Sequence, residues 1–165
     1  MTIPKTLLFL IFIATLSCAS KYDSSWHKIS EGGFSIMMPA QPTKNRKENG
    51  ATTFRLELNG ETYIVTYNLM TTPEENKTDQ SLDMVRNGFV NNVSDGTLIE
   101  EKRTKINGFA GRELVVESPK NNQVIRQRIV LANSILYQFG ISSPKDKQLS
   151  DNGQKYLDSF EILSK

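Results

Sequence analysis

Two alternating runs joined by Asn59-Gly60 restrict the fold more than any other part of the chain. Phe54, Leu56 and Leu58 alternate with Thr53, Arg55 and Glu57; beyond the dipeptide, Tyr63, Val65, Tyr67 and Leu69 keep the same period. A period of two puts the apolar set on one face of a strand, and Asn-Gly accepts the positive φ angles of a type I′ turn. The segment therefore reads as a half-buried β-hairpin. Its apolar face needs a second layer, so the chain must form a packed domain with other elements as cover.

The rest of the chain supplies more strands and that cover. Val124–Ala132 and Ile135–Ile141 read as a second hairpin, with Ile135, Tyr137, Phe139 and Ile141 on one face. Thr97–Ile106 is more charged and is expected near a sheet edge. Asn107-Gly108 turns it into a strand from Gly111 to Glu117, and Asn121-Asn122 turns the chain again. Phe34 to Met38 reads as a first strand ended by Pro39. Lys21–Gly33 reads as polar chain anchored by Trp26, and Pro39–Gly50 and Thr71–Lys77 as loops.

Leu82, Val85, Phe89 and Val93 recur at helical spacing, with Thr78 or Asp79 as the cap and Ser94-Asp95-Gly96 as the stop. A second, shorter helix after Pro144 carries Leu149, Tyr156, Leu157 and Phe160. Hairpin connections imply antiparallel pairing. The expected class is α+β: a single, mostly antiparallel sheet of about six to seven strands covered by two helices.

The N-terminus reads as an address. Met1–Lys5 carries one positive charge, and Thr6–Leu16 is an uncharged apolar run too short to span a bilayer. Residues 1–19 are thus expected to be a signal peptide of bacterial type and residues 20–165 one exported domain. Two processing sites compete. Ser17-Cys18-Ala19 offers small residues for cleavage before Ser20. Thr15-Leu16-Ser17-Cys18 resembles a lipobox, in which Cys18 becomes the lipidated first residue. Cys18 abuts the apolar run, which favours the second; Thr15 and Leu16 depart from the usual pattern. A lipidated Cys18 would hold the domain at a membrane surface.

Composition excludes several classes. The chain of 165 residues carries a net charge of +2, without the basic excess of a nucleic-acid binder. With one cysteine, no disulfide forms within the chain. His27 is the only histidine, so the usual zinc sets are missing, and no metal or other cofactor is expected. Asp23, Ser24 and Ser25 lie beside His27, yet neighbours on one extended segment rarely meet in triad geometry, and no Gly-x-Ser-x-Gly elbow occurs. Asp151-Asn-Gly153 reads as a helix entry rather than a calcium loop.

Glu74-Glu75 and Glu100-Glu101 read as solvated pairs; on a strand, Glu100 and Glu101 face opposite ways. Lys44, Arg46 and Lys47 form a small basic loop. Lys102 faces away from Arg103 and Lys105, while Arg126 and Arg128 share a face. Such charges suit a solvated face, an acidic partner or anionic headgroups. Asn76-Lys-Thr78 and Asn92-Val-Ser94 are formal glycosylation sequons, expected to be accidental if the host is bacterial, as the N-terminus suggests.

Several spaced residues together resemble small exported bacterial proteins with a PsbP-like domain, PsbP being an extrinsic photosystem II subunit. They are Trp26 ahead of Glu31-Gly-Gly-Phe-Ser-Ile-Met-Met-Pro39, the strand with Tyr63, Gly108-Phe-Ala-Gly-Arg-Glu113, Leu136-Tyr137 and Ser159-Phe160. The resemblance runs from Trp26 to Leu163. It implies an antiparallel sheet flanked by helices and used as a docking or assembly module, and it carries over no metal or docking residues.

The expectation is a non-enzymatic binding or assembly domain of the bacterial envelope, with an envelope protein or, through Cys18, a membrane surface as partner. The alternatives are a small-ligand carrier and a hydrolase with a site built from dispersed polar residues.

Overall fold

The computed structural model describes residues 25–47, 50–70 and 77–163. The strands are β1 (His27–Glu31), β2 (Phe34–Met38), β3 (Thr43–Arg46), β4 (Thr52–Leu58), β5 (Glu61–Leu69), β6 (Thr97–Ile106), β7 (Phe109–Ser118), β8 (Gln123–Ala132), β9 (Ile135–Pro144) and β10 (Glu161–Ile162). Helix α1 (Thr78–Asn92) sits between β5 and β6, and α2 (Asp151–Asp158) between β9 and β10.

Seven strands form one antiparallel sheet in the order β3-β4-β5-β9-β8-β7-β6. The α+β class holds, and so do both predicted hairpins. Asn59 (φ 52°) and Gly60 (φ 82°) turn the first in the left-handed region, which Gly tolerates without cost and Asn at little. The first strand read from sequence lies outside this sheet. β2 pairs with β1 and with β10 in a separate three-stranded sheet, order β1-β2-β10.

Both β1 and β3 fall where the sequence reads as loop. In β1 only Ile29 is buried, and all four residues of β3 are exposed, so neither leaves an apolar rhythm. Hydrogen bonding to a neighbour makes them strands. Lys44 and Arg46 accordingly stand on β3, and Lys44 forms an ion pair of 2.6 Å with Glu31 instead of sitting in a solvated loop.

One face of the large sheet packs against α2 and the small sheet. Phe160 stacks on Phe139 with centroids 4.1 Å apart and planes at 11°, and Phe34 stacks beyond it at 5.6 Å. Tyr63 meets Tyr156 edge-on at 5.3 Å. Ile36, Met38, Val65 and Ile141 complete this core. The Gly32-Gly33 turn fits against it closely: a Cβ on Gly32 would come 2.6 Å from the Tyr67 ring, and the Gly32 carbonyl accepts a hydrogen bond from the Tyr137 hydroxyl at 2.8 Å.

The opposite face carries α1. Leu82, fully buried, packs with Leu114, Val116, Ile129, Leu131 and Leu136, and Val85, Phe89 and Val93 join at the rim as their spacing predicts. The helix begins differently from expectation. Lys77 is the N-cap residue and makes no side-chain cap bond, since an ammonium has no acceptor to offer a backbone N–H, and Asp79 is turned toward Arg112. Helix α2 starts as its sequence suggests, with Ser150 Oγ accepting from the Gly153 N–H at 2.9 Å.

Candidate functional site: two recesses on opposite faces of the sheet

The two helices cover different halves of the sheet. Helix α1 lies over β7 and β8 on one face; α2 lies over β9, with β2 beside it, on the other. Each face therefore keeps an uncovered half, and a recess forms where that open half meets the neighbouring helix.

The recess beside α1 has a volume of about 230 Å³. Ile64, Ile125 and Phe89 give it an apolar floor, and Thr62, Thr66 and Gln138 give it an uncharged polar rim. Gly140 lies in its bed. A Cβ there would sit against Gln127 Oε1 and 2.6 Å from the Arg126 carbonyl oxygen, so the missing side chain is what lets Gln127 lie across β9.

The recess beside α2 is different in kind. It measures about 250 Å³ and is lined by Leu149, Gln154 and Leu157 from the helix side and by Lys102, Val115 and Arg126 from the sheet. Arg126 and Arg128 share this face, as read from sequence, but they stand in unlike surroundings. Arg128 is occupied: Nε lies 3.0 Å from Glu113 Oε1, and Nη1 donates to the Leu157 carbonyl at 2.7 Å. Arg126 Nη1 is buried and has no hydrogen-bond partner among the described residues. Burying such a donor unpaired is costly.

A charged cluster holds α1 to the sheet edge. Arg112, 1% exposed, places Nη2 2.9 Å from Asp79 Oδ1 and 3.0 Å from Asp83 Oδ1. Its Nε lies 3.2 Å from Glu101 Oε1, too misaligned for a hydrogen bond. Arg86 bonds Glu101 at 2.6 Å, and Arg103 lies 3.4 Å from Asp79. Three carboxylates thus face three guanidinium groups. The Arg112 hydrogen bond, followed by the nearby positive charge of Arg103, holds the Asp79 carboxyl below its usual value.

A buried carboxylate also anchors α2. Glu61 Oε2 accepts from the Tyr63 hydroxyl at 2.6 Å and from Ser150 Oγ at 2.7 Å. Burial first, and the bond to Glu61 second, push the Tyr63 phenol well up. At the other edge, hydrogen bonds from Lys44 and then from Tyr67 hold the Glu31 carboxyl down.

The residues singled out from sequence disperse across this frame. Cys18 lies outside the described residues, as do Asp23, Ser24, Glu74 and Glu75. His27 opens β1, paired across the hairpin with Met38. Glu100 and Glu101 do face opposite ways. Glu101, however, is not a solvated carboxylate: it is engaged by Arg86 and Arg112. Asp151-Asn-Gly153 forms the first turn of α2. The sequence reading missed the burial of Arg112 and the isolation of Arg126. An arginine on a strand carries no local mark of what lies across the sheet from it.

The architecture is an antiparallel sheet with a helix on each face and a small accessory sheet closing one side, a fold shared with PsbP-like solved structures. Among solved structures, the chain is similar to cyanobacterial PsbP (CyanoP) from Synechocystis sp. PCC 6803, with TM-score 0.58 and 14% identity over 88% of this chain and 97% of that one. It is also similar to the Saccharomyces cerevisiae Ran-binding protein Mog1p, with TM-score 0.53 and 11% identity over 84% of this chain and 96% of that one. LpqN of Mycobacterium tuberculosis, involved in cell envelope biogenesis, matches with TM-score 0.50 and 13% identity over 87% of this chain and 81% of that one. At such identities the likeness establishes the fold. No protein-family model and no curated protein sequence matches the chain.

Proposed function

We propose that the protein is a non-enzymatic binding or assembly domain of the bacterial cell envelope, docking a protein partner in the recess beside α1. The observation that carries this reading is the open half-face over β5 and β9. It exposes Ile64, Ile125 and Phe89 beneath a rim of uncharged Thr and Gln side chains. Protein interfaces have this composition at their centres, where apolar residues dominate and charges are depleted.

Two of the similar structures support the reading by what they are: one is a Ran-binding protein, and another is involved in envelope biogenesis. The N-terminal segment supplies the address. With Cys18 acylated, the domain would sit at a membrane surface within reach of envelope proteins.

The test is site-specific photo-crosslinking in cells. A photoreactive residue at Thr66 or Gln138 should capture defined envelope proteins, while one at exposed Lys28, on the small sheet at the opposite face, should not. Purified protein that turns over a substrate, with no capture from either recess position, would overturn the reading.

A further inference from the structure

We infer that the recess beside α2 is a second, separate site, which binds a small amphipathic carboxylate with Arg126 as its anchor. Three observations converge on it. Arg126 lines a cavity of about 250 Å³ while its Nη1 is buried without a hydrogen-bond partner among the described residues. Arg128, two residues on and on the same face, shows what a satisfied guanidinium looks like here: Glu113, Asp158 and the Leu157 carbonyl all engage it. Arg126 is thus the guanidinium of the recess left without an ion pair among the described residues, and a guanidinium is the group best matched to a carboxylate, through two parallel N–H···O bonds.

The walls define the rest of the ligand. Leu149, Leu157 and Val115 line the cavity with apolar surface beside the guanidinium, so the ligand carries a hydrocarbon portion next to its carboxylate. The volume falls below the roughly 300–1,000 Å³ of pockets for drug-sized ligands. A short acyl chain therefore suits it better than a long one.

Lys102 adds a second positive charge at the mouth. Glu100, exposed on the same face, is the one unengaged carboxylate in the lining and competes with the ligand for Arg126. This arrangement makes opposite predictions for the two groups.

Hexanoate is the probe, with hexanol, hexylammonium and inorganic phosphate as comparisons, added to the isotopically labelled full-length protein. Hexanoate should shift the Arg126 Nε–H resonance and the methyl resonances of Leu149 and Leu157 saturably. The three comparisons should not. Arg126→Gln should weaken hexanoate by about tenfold or more, the size of one charge-assisted hydrogen bond. Glu100→Gln should strengthen it by about twofold, since a competing charge is removed. That gain cannot come from misfolding.

Equal binding of phosphate, or of hexanol, would overturn the assignment. So would hexanoate affinity unchanged in Arg126→Gln. This site stands apart from the docking reading: crosslinks from Thr66 and Gln138 report on the opposite face, so either result can fail without the other.

Discussion

At Arg112 a guanidinium is 1% exposed yet satisfied mostly by carboxylates that keep contact with water, Asp79 and Asp83 being 55% and 38% exposed. Replacing it with methionine would retain the bulk and take from Asp79 and Asp83 the donor they share, leaving Arg103 and Arg86 as their nearest cations. We expect Arg112→Met to cost about 3 kcal/mol in chemical denaturation, the low end for breaking a buried ion pair because two partners remain partly solvated. A cost near zero would show that α1 is held by Leu82 and its neighbours alone. The same cluster makes a prediction about pH. The folded-state pKa of Asp79 lies below its unfolded value, so its contribution is fully present above the unfolded pKa and is lost as pH falls through the folded one. The stability gap between wild type and Asp79→Asn should therefore be constant near neutrality and close at acid pH. A gap that widened on acidification would reverse the assignment.

Among the elements, α2 is tied to β5 at its N-terminus. Ser150 both caps it and donates to Glu61, so Ser150→Ala removes a cap and one of the two donors on a buried carboxylate. A loss of about 1 kcal/mol or somewhat more is expected from thermal melts. Just past the helix, Phe160 lies between Phe139 and Phe34, and Phe160→Ala should cost about 3–5 kcal/mol by opening a cavity where three aromatic rings meet. Both hairpins, the first helix and the middle of the second were legible in the sequence, because each writes a period or a turn signal into consecutive residues; Leu149 and Phe160, expected within the second helix, fall just outside α2, and its Ser150 cap was not read. Strands β1 and β3 were not, since Lys28, Ser30 and the whole of β3 face solvent and leave no rhythm. The recesses were not legible either. Arg126 and Leu157 come from elements far apart in the chain, and only the placement of α2 across the sheet makes them neighbours.

For the molecule as a whole, the central pairing of β5 with β9 joins residues such as Tyr63 and Ile141 that are distant in sequence, with α1 and the β6–β8 meander between them. Closing so long a loop before any contact is gained slows folding, and refolding is expected on the millisecond-to-second scale typical of non-local β topologies. Stopped-flow relaxation complete well under a millisecond would contradict that. The lipoprotein reading is tested separately: palmitate labelling should appear in the wild-type protein and vanish in Cys18→Ser. The small sheet adds a temporal constraint. Ile162 pairs with Phe34, and the Leu163 N–H bonds to the Gly33 carbonyl, so the earliest and latest described segments seal one another. Leu163 must have left the ribosome before that seam can form. Until then Phe34 and its neighbours lack the strand that covers them, and the growing chain is open to chaperones.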